Sequence, residues 1–251
     1  MTKYYFLICS LPKVEFGEKT DLSHDDLCYL LDFNLSKEDL EKIKIFKTFI
    51  DLKNVKALWQ NQRIDARGNL NEKRIEEALL IKEFLPSYLF DFMQKYSNLE
   101  DRIKYFPFVY ASFWQEEIKK ESGFLHDYFK FEMEYRLIVT ALRAKDQKRD
   151  FLQEVFFADQ KEFLISCLQK GETNFDAEYQ KLQEIYEANK NYPEKIYYAF
   201  LKYQFQQVSN INTKSSFDIN AVLKFLALLY LAEEALNRNS MEGKQILNTL
   251  C

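Results

Sequence analysis

Glycine and proline are scarce in this chain, with five of the first and four of the second among 251 residues. A sequence so poor in turn-formers cannot supply the frequent reversals of a many-stranded sheet. Histidine is scarcer still, at His24 and His126 only. The four cysteines, Cys9, Cys28, Cys167 and Cys251, form no CxxC pair and no zinc-ligand spacing with either histidine, which fits a reduced cytoplasmic chain. Neither histidine follows a glutamate three residues earlier, so the paired motif of a di-iron bundle is missing. There is also no glycine-rich phosphate loop, dinucleotide fingerprint, GxSxG or HExxH. Positive charge is not in excess either: 35 Lys and Arg face 39 Asp and Glu for a net charge of -4, against nucleic-acid binding. The apolar run Tyr4 to Leu11 is too short for a signal sequence and lacks a small-residue cleavage site. The longer run Ala221 to Ala232 is broken by Lys224 and followed by Glu233 and Glu234, so no direct membrane insertion is expected. These absences predict no catalytic residue, no cofactor and no metal.

What the chain does have is apolar bulk at helical spacing. Apolar residues make up 47% of it, including 23 Phe and 16 Tyr, ample for a buried core. The fold class is all-α, a multi-helix funnel or bundle with a short N-terminal apolar segment that is either strand-like or a first helical turn. It reads as one compact unit over 1–251, divisible into helical subdomains at 1–100, 101–171 and 172–251. Ser23 caps a short helix through Phe33, Ser36 opens another through about Leu52, Asn71 caps one that runs to about Leu85, and Pro107 forces a kink or a fresh start at Phe106. A short helical pair, Phe151 to Phe157 with Phe163 to Leu168, follows the charged turn DQKRD. The organising stretch is Phe124 to Lys145, where Phe124, Tyr128, Phe131, Tyr135, Ile138 and Leu142 recur at steps of four and three on one stripe. Glu132 and Arg136 lie four apart at the stripe's edge, as a structural pair between core and surface.

Candidate functional residues are few. Asp25 and Asp26 read as helix-cap acids because Tyr29 stands where a third aspartate of a diphosphate site would be needed. His126 lies beside the aromatic stripe as a packed or exposed helix residue. Glu132 and Arg136, with Arg143 further along the same flank, could form a charged site, though an intrahelical pair is the plainer reading. Two polar loops interrupt the helices, Gln60 to Asn71 and Ser209 to Ser216. Loops on rigid scaffolds often make contacts, so Asp65, Arg67 and Asn69 in the first and Asn212 and Lys214 in the second are candidate interface residues.

The N-terminal YYFLICSLP, the loop Asp65-Ala66-Arg67-Gly68-Asn69 and above all FEMEYRLIVTALRAK resemble a bacterial family similar to the V/A-type ATPase central-stalk subunit, called C in prokaryotes and d in eukaryotes. The segment Ile50 to Val55 can also be laid on Met133 to Ile138, hinting at repeated helical units. The resemblance implies a funnel of helical subdomains about a pseudo-threefold axis. Its implied function is a non-catalytic adaptor whose partners are the central-stalk subunits and the membrane rotor ring, at the cytoplasmic face of the membrane. Two other classes stay open: a helical scaffold unrelated to ATPases, and an all-α enzyme with a polar pocket around Glu132, Tyr135 and Arg136.

Overall fold

The computed structural model describes residues 3–149 and 174–250. Within them the chain is all-helical, a bundle built around one central helix. In chain order the helices are α1 (Tyr5–Ser10), α2 (His24–Asn34), α3 (Lys37–Trp59), α4 (Glu72–Ile81), α5 (Ser87–Lys95), α6 (Leu99–Tyr105), α7 (Pro107–Lys120), α8 (Phe124–Asp146), α9 (Asn174–Asn189), α10 (Pro193–Asn210) and α11 (Ile219–Leu250). The pair expected at Phe151 to Phe157 and Phe163 to Leu168 lies outside the described residues.

Local chemistry explains most boundaries. Ser23, Ser36, Asn71 and Asn98 each accept a hydrogen bond from the backbone N–H three residues on, satisfying a donor that the first helical turn cannot. Pro107 begins α7, where its missing N–H costs nothing, so the kink-or-restart alternative resolves as a restart. The N-terminal segment is a short helix, tied down by the Tyr4 N–H donating to the Phe217 carbonyl at 2.7 Å. One boundary differs: α4 stops at Ile81, four residues short of Leu85, because Lys82 and Phe84 take left-handed backbone angles of 58° and 64°.

Helix α8 is covered on nearly every side. Its N-terminal half packs Tyr128 and Phe129 against Phe46 of α3 and Phe113 of α7, with ring centroids 5.6 and 5.0 Å apart. Its C-terminal half joins a second core in which Ile138, Val139 and Leu142 meet Leu182 and Tyr186 of α9 and Phe200 and Tyr203 of α10. The helix starts with help from a distant residue. Gly123 has φ +68° and offers no side-chain cap, and the Asn220 side-chain oxygen of α11 accepts from the Phe124 N–H at 3.0 Å. A Cβ on Gly123 would stand 2.5 Å from that oxygen. Gly123→Ala is therefore expected to lose about 1–3 kcal/mol from backbone strain alone, and Asn220→Ala about 1 kcal/mol as a lost cap. Urea unfolding of both variants checks this, and a Gly123→Ala midpoint equal to the parent's would contradict it.

Candidate anion-binding cleft

Side chains at helical spacing from α3, α7, α8, α10 and α11 face a shared cleft of about 820 Å³. On α8 the cleft face is Glu132, Tyr135, Arg136, Val139 and Arg143, all at steps of three or four. On α3 it is Lys53 and Lys56, one turn apart and continuing the line of Phe46 and Phe49. Tyr110 and Trp114 enter from α7, Tyr197, Phe200 and Gln204 from α10, and Tyr230 and Glu234 from α11. Among the described residues of the lining, five cations (Lys53, Lys56, Arg136, Arg143, Arg149) stand with two carboxylates (Glu132, Glu234), inside an acidic chain.

The pair at positions 132 and 136 lies deeper than its place on the stripe suggests. Glu132 is only 2% exposed, because α10 closes over the flank that would otherwise meet solvent. Its Oε1 accepts from Gln204 Nε2 at 3.0 Å, and its Oε2 lies 3.4 Å from Arg136 Nε. That ion contact is not aligned as a hydrogen bond, and Arg136 Nε is buried without an acceptor, as is Trp114 Nε1. The Arg136 guanidinium is boxed by the rings of Phe49, Tyr110 and Trp114, at 5.1, 5.5 and 5.7 Å from their centroids. Both of these atoms are enclosed, and what faces the cleft is the rest of the Arg136 side chain, 32% exposed, whose charge suits an anion.

Three cations share two rings. Lys53 Nζ lies 4.7 Å from the Phe49 centroid that Arg136 also overlies, and 4.9 Å from the Tyr230 centroid that Arg67 overlies at 4.1 Å. Lys53 Nζ also donates to the Tyr230 hydroxyl at 3.2 Å. Burial, reinforced by the Arg136 charge, pushes the Lys53 pKa down to about 8, against the opposing pull of Glu132, Glu234 and Asp65. Burial and Arg136 lower Lys56 as well, while burial raises the phenols of Tyr128, Tyr135 and Tyr230, so these tyrosines keep their protons at neutral pH.

Compared with known families, the chain matches along residues 1–251 the family described as protein of unknown function, DUF2764. The chain belongs to that family. Among its relatives is an uncharacterized protein of Chlamydia pneumoniae, 26% identical over 259 residues, with 99% of this chain and 97% of the relative covered. Another, from Chlamydia muridarum, is 21% identical over 260 residues, covering 100% of this chain and 98% of the relative. No solved structure matches. These matches correct the resemblance drawn from FEMEYRLIVTALRAK. The full length belongs to DUF2764, and neither the family nor these relatives indicate a V/A-type ATPase stalk subunit. The expected stalk and rotor-ring partners rested on that resemblance alone and are not carried forward. The physical cause of the misreading is that an acid, an arginine and aliphatics at helical spacing describe any helix buried on several sides. Among the described residues of this DUF2764 chain, no helix is long and apolar enough to cross a membrane.

The two candidate loops have different structural settings in the DUF2764 fold. Arg67 turns inward: its guanidinium meets Asp65 at 2.6 Å, Glu233 at 2.9 Å and Glu234 at 3.3 Å, and donates to the Tyr230 carbonyl at 3.1 Å. Asn54 accepts from the Asp65 N–H and donates to its carbonyl, while Asp51 accepts from the Asn69 side chain and the Leu70 N–H. A Cβ on Gly68 would collide with the Asp51 carboxylate, so this loop lies flat on α3 and braces the cleft's back wall. Asn212 and Lys214 are exposed on the other loop. Asp25 and Asp26 sit in the first turn of α2, and His126 pairs with its neighbour Asp127 at 2.9 Å, all outside the residues lining the cleft. The sequence reading missed Lys53, Lys56, Trp114, Gln204 and Tyr230. A signal was present for the lysines: Phe46, Phe49, Lys53 and Lys56 follow steps of three, four and three, so two cations continue a buried stripe.

Proposed function

We propose that this protein is a helical binding scaffold whose cleft holds a small organic anion with an aromatic or other planar portion. The observation that carries the reading is the cluster of Lys53, Lys56 and Arg136 in a cleft whose described lining carries more cations than carboxylates, in a chain of net charge -4. A cleft with low-dielectric walls focuses that field, so the anion is concentrated where Lys53, Lys56 and Arg136 point. Among the described residues, neither lysine has a carboxylate within ion-pair distance. Tyr135 and Tyr197, both partly exposed in the cleft lining, supply aromatic surface for the remainder of the ligand.

Calorimetric titration with phenyllactate, an aromatic carboxylate, tests this. Saturable binding is expected, weakened by added salt because the recognition is charge on charge. Arg136→Met together with Glu132→Leu is expected to weaken it about ten-fold, equivalent to about 1.4 kcal/mol. Heat of dilution alone with both phenyllactate and phenyl phosphate would overturn the reading.

A further inference from the structure

We propose that Cys28 is a peroxide-reactive thiol, oxidised to sulfenic acid with His24 as its base and Lys47 as its charge partner. These three side chains lie outside the residues lining the cleft, and the inference does not rest on the anion-binding reading. Two helices build the cluster. His24 and Cys28 stand one turn apart on α2, with Cys28 Sγ 3.4 Å from His24 Nε2. From α3, Lys47 Nζ donates to the same sulfur at 3.3 Å. A nucleophile within reach of a base, with a cation aimed at the atom that gains charge, is the arrangement that makes a thiol reactive.

Lys47 is the less expected member. Among the described residues no carboxylate lies within ion-pair distance of it, and its hydrogen bond goes to sulfur. A thiolate formed at Cys28 therefore meets a charge-assisted hydrogen bond already in place. Burial first, then the Lys47 and Arg67 charges, lowers the His24 pKa against the pull of Glu233 and Asp25, so the ring is neutral at pH 7 and able to accept the thiol proton. Cys28 itself is half-buried, within reach of a small reagent. His24 and Lys47, with Arg67 and Glu233, also line a cavity of about 20 Å³, more than the ~10–15 Å³ that one water needs and of the size a small hydroperoxide requires.

The step balances with one molecule of hydrogen peroxide as the oxidant. The Sγ–H proton passes to His24 Nε2, leaving a sulfur lone pair beside the Lys47 ammonium. That pair attacks the nearer peroxide oxygen, forming the S–O bond as the O–O bond breaks. The leaving oxygen departs with the O–O electron pair and takes the proton back from His24, so it leaves as water. Sulfur has lost two electrons, peroxide has gained them, and the product is the sulfenic acid of Cys28.

Treating the full chain with hydrogen peroxide in the presence of dimedone, which traps a sulfenic acid as a stable thioether, tests the proposal. Cys9, an exposed thiol on α1, is the internal control. Peptide mass mapping is expected to find the adduct forming faster at half-buried Cys28 than at exposed Cys9, the reverse of the order that exposure alone would give. In concentrated urea, which separates α2 from α3, that preference should disappear. Lys47→Met and His24→Gln should each lose it in the folded chain, whereas Lys47→Arg, which keeps the cation, should retain it. Equal rates at the two cysteines of the folded chain, or a faster Cys9, would overturn the proposal. A preference for Cys28 that persists in urea, or in a folded Lys47→Met variant, would overturn it too, because the local sequence and not the assembled cluster would then set the reactivity. The comparison of Cys28 with Cys9 uses the unaltered chain, so it decides the matter even if a variant does not fold.

Discussion

Arg67→Ala is expected to destabilise the protein by about 3–5 kcal/mol, the range for breaking a buried ion pair from one side. The guanidinium side chain is 13% exposed and is the shared partner of Asp65, Glu233 and Glu234. Removing it leaves three carboxylates facing one another and a Tyr230 carbonyl without its donor. These acids keep between 23% and 28% side-chain exposure, so water relieves part of the cost and the lower end of the range is expected. The pH dependence gives a second signature. Burial acts to raise the Asp65 pKa, but the bonds and charge of Arg67 outweigh it and the net shift is downward. A depressed carboxylate contributes stability that is fully present above its unfolded pKa, near 3.8, and lost as pH falls through the lower folded value. In Arg67→Ala that contribution is gone and the crowded acids favour protons, so the gap to the parent should narrow as pH falls from 7 toward about 4. Urea unfolding at both pH values checks this. A loss under about 1 kcal/mol at pH 7 would mean the loop is held by Asp51 and Asn54 alone.

The second large effect separates the pair on α8. Arg136→Met alone is expected to lose about 3–5 kcal/mol, because Glu132 at 2% exposure is left charged with only Gln204 to bond it. Adding Glu132→Leu should restore stability to within about 1 kcal/mol of the parent or exceed it, since well-packed apolar replacements of buried ion pairs are often neutral or stabilising. Anion binding, by contrast, should stay weak in the double variant. Stability recovered without binding recovered would assign Arg136 to the ligand and its pairing with Glu132 to internal charge balance. Thermal unfolding and phenyllactate titration on the same three variants read both quantities. A double variant no more stable than the single would show that the guanidinium's packing over Phe49, Tyr110 and Trp114 matters more than its charge.

Of the candidate site, only the Glu132 and Arg136 pair, with Tyr135 and Arg143 beside it, was legible in the sequence. Helical spacing shows that these residues share a flank of α8, but not what stands opposite. Arg67 shows the same limit: the DARGN loop reads as a polar turn free to meet a partner, whereas its arginine reaches Glu233, 166 positions away in the chain. The absent phosphate loop and metal spacing were informative about known motifs. They had no bearing on a cleft assembled from single side chains on five helices.

By itself the sequence determined the all-helical class, the serine and asparagine caps at Ser23, Ser36 and Asn71 and a break in the helical run at Pro107. Each of these depends on groups within about four residues of one another, the span of a helical hydrogen bond. Tertiary structure decided the rest. It ended α4 at Ile81 through left-handed Lys82, capped α8 with Asn220 from the far end of the chain, and sank Glu132 under α10. It also put Lys53 between two aromatic rings, one from its own helix and one from α11. The depth of a charge and the company it keeps are set by which helix faces pack together, and a helical period names a face without naming its neighbour.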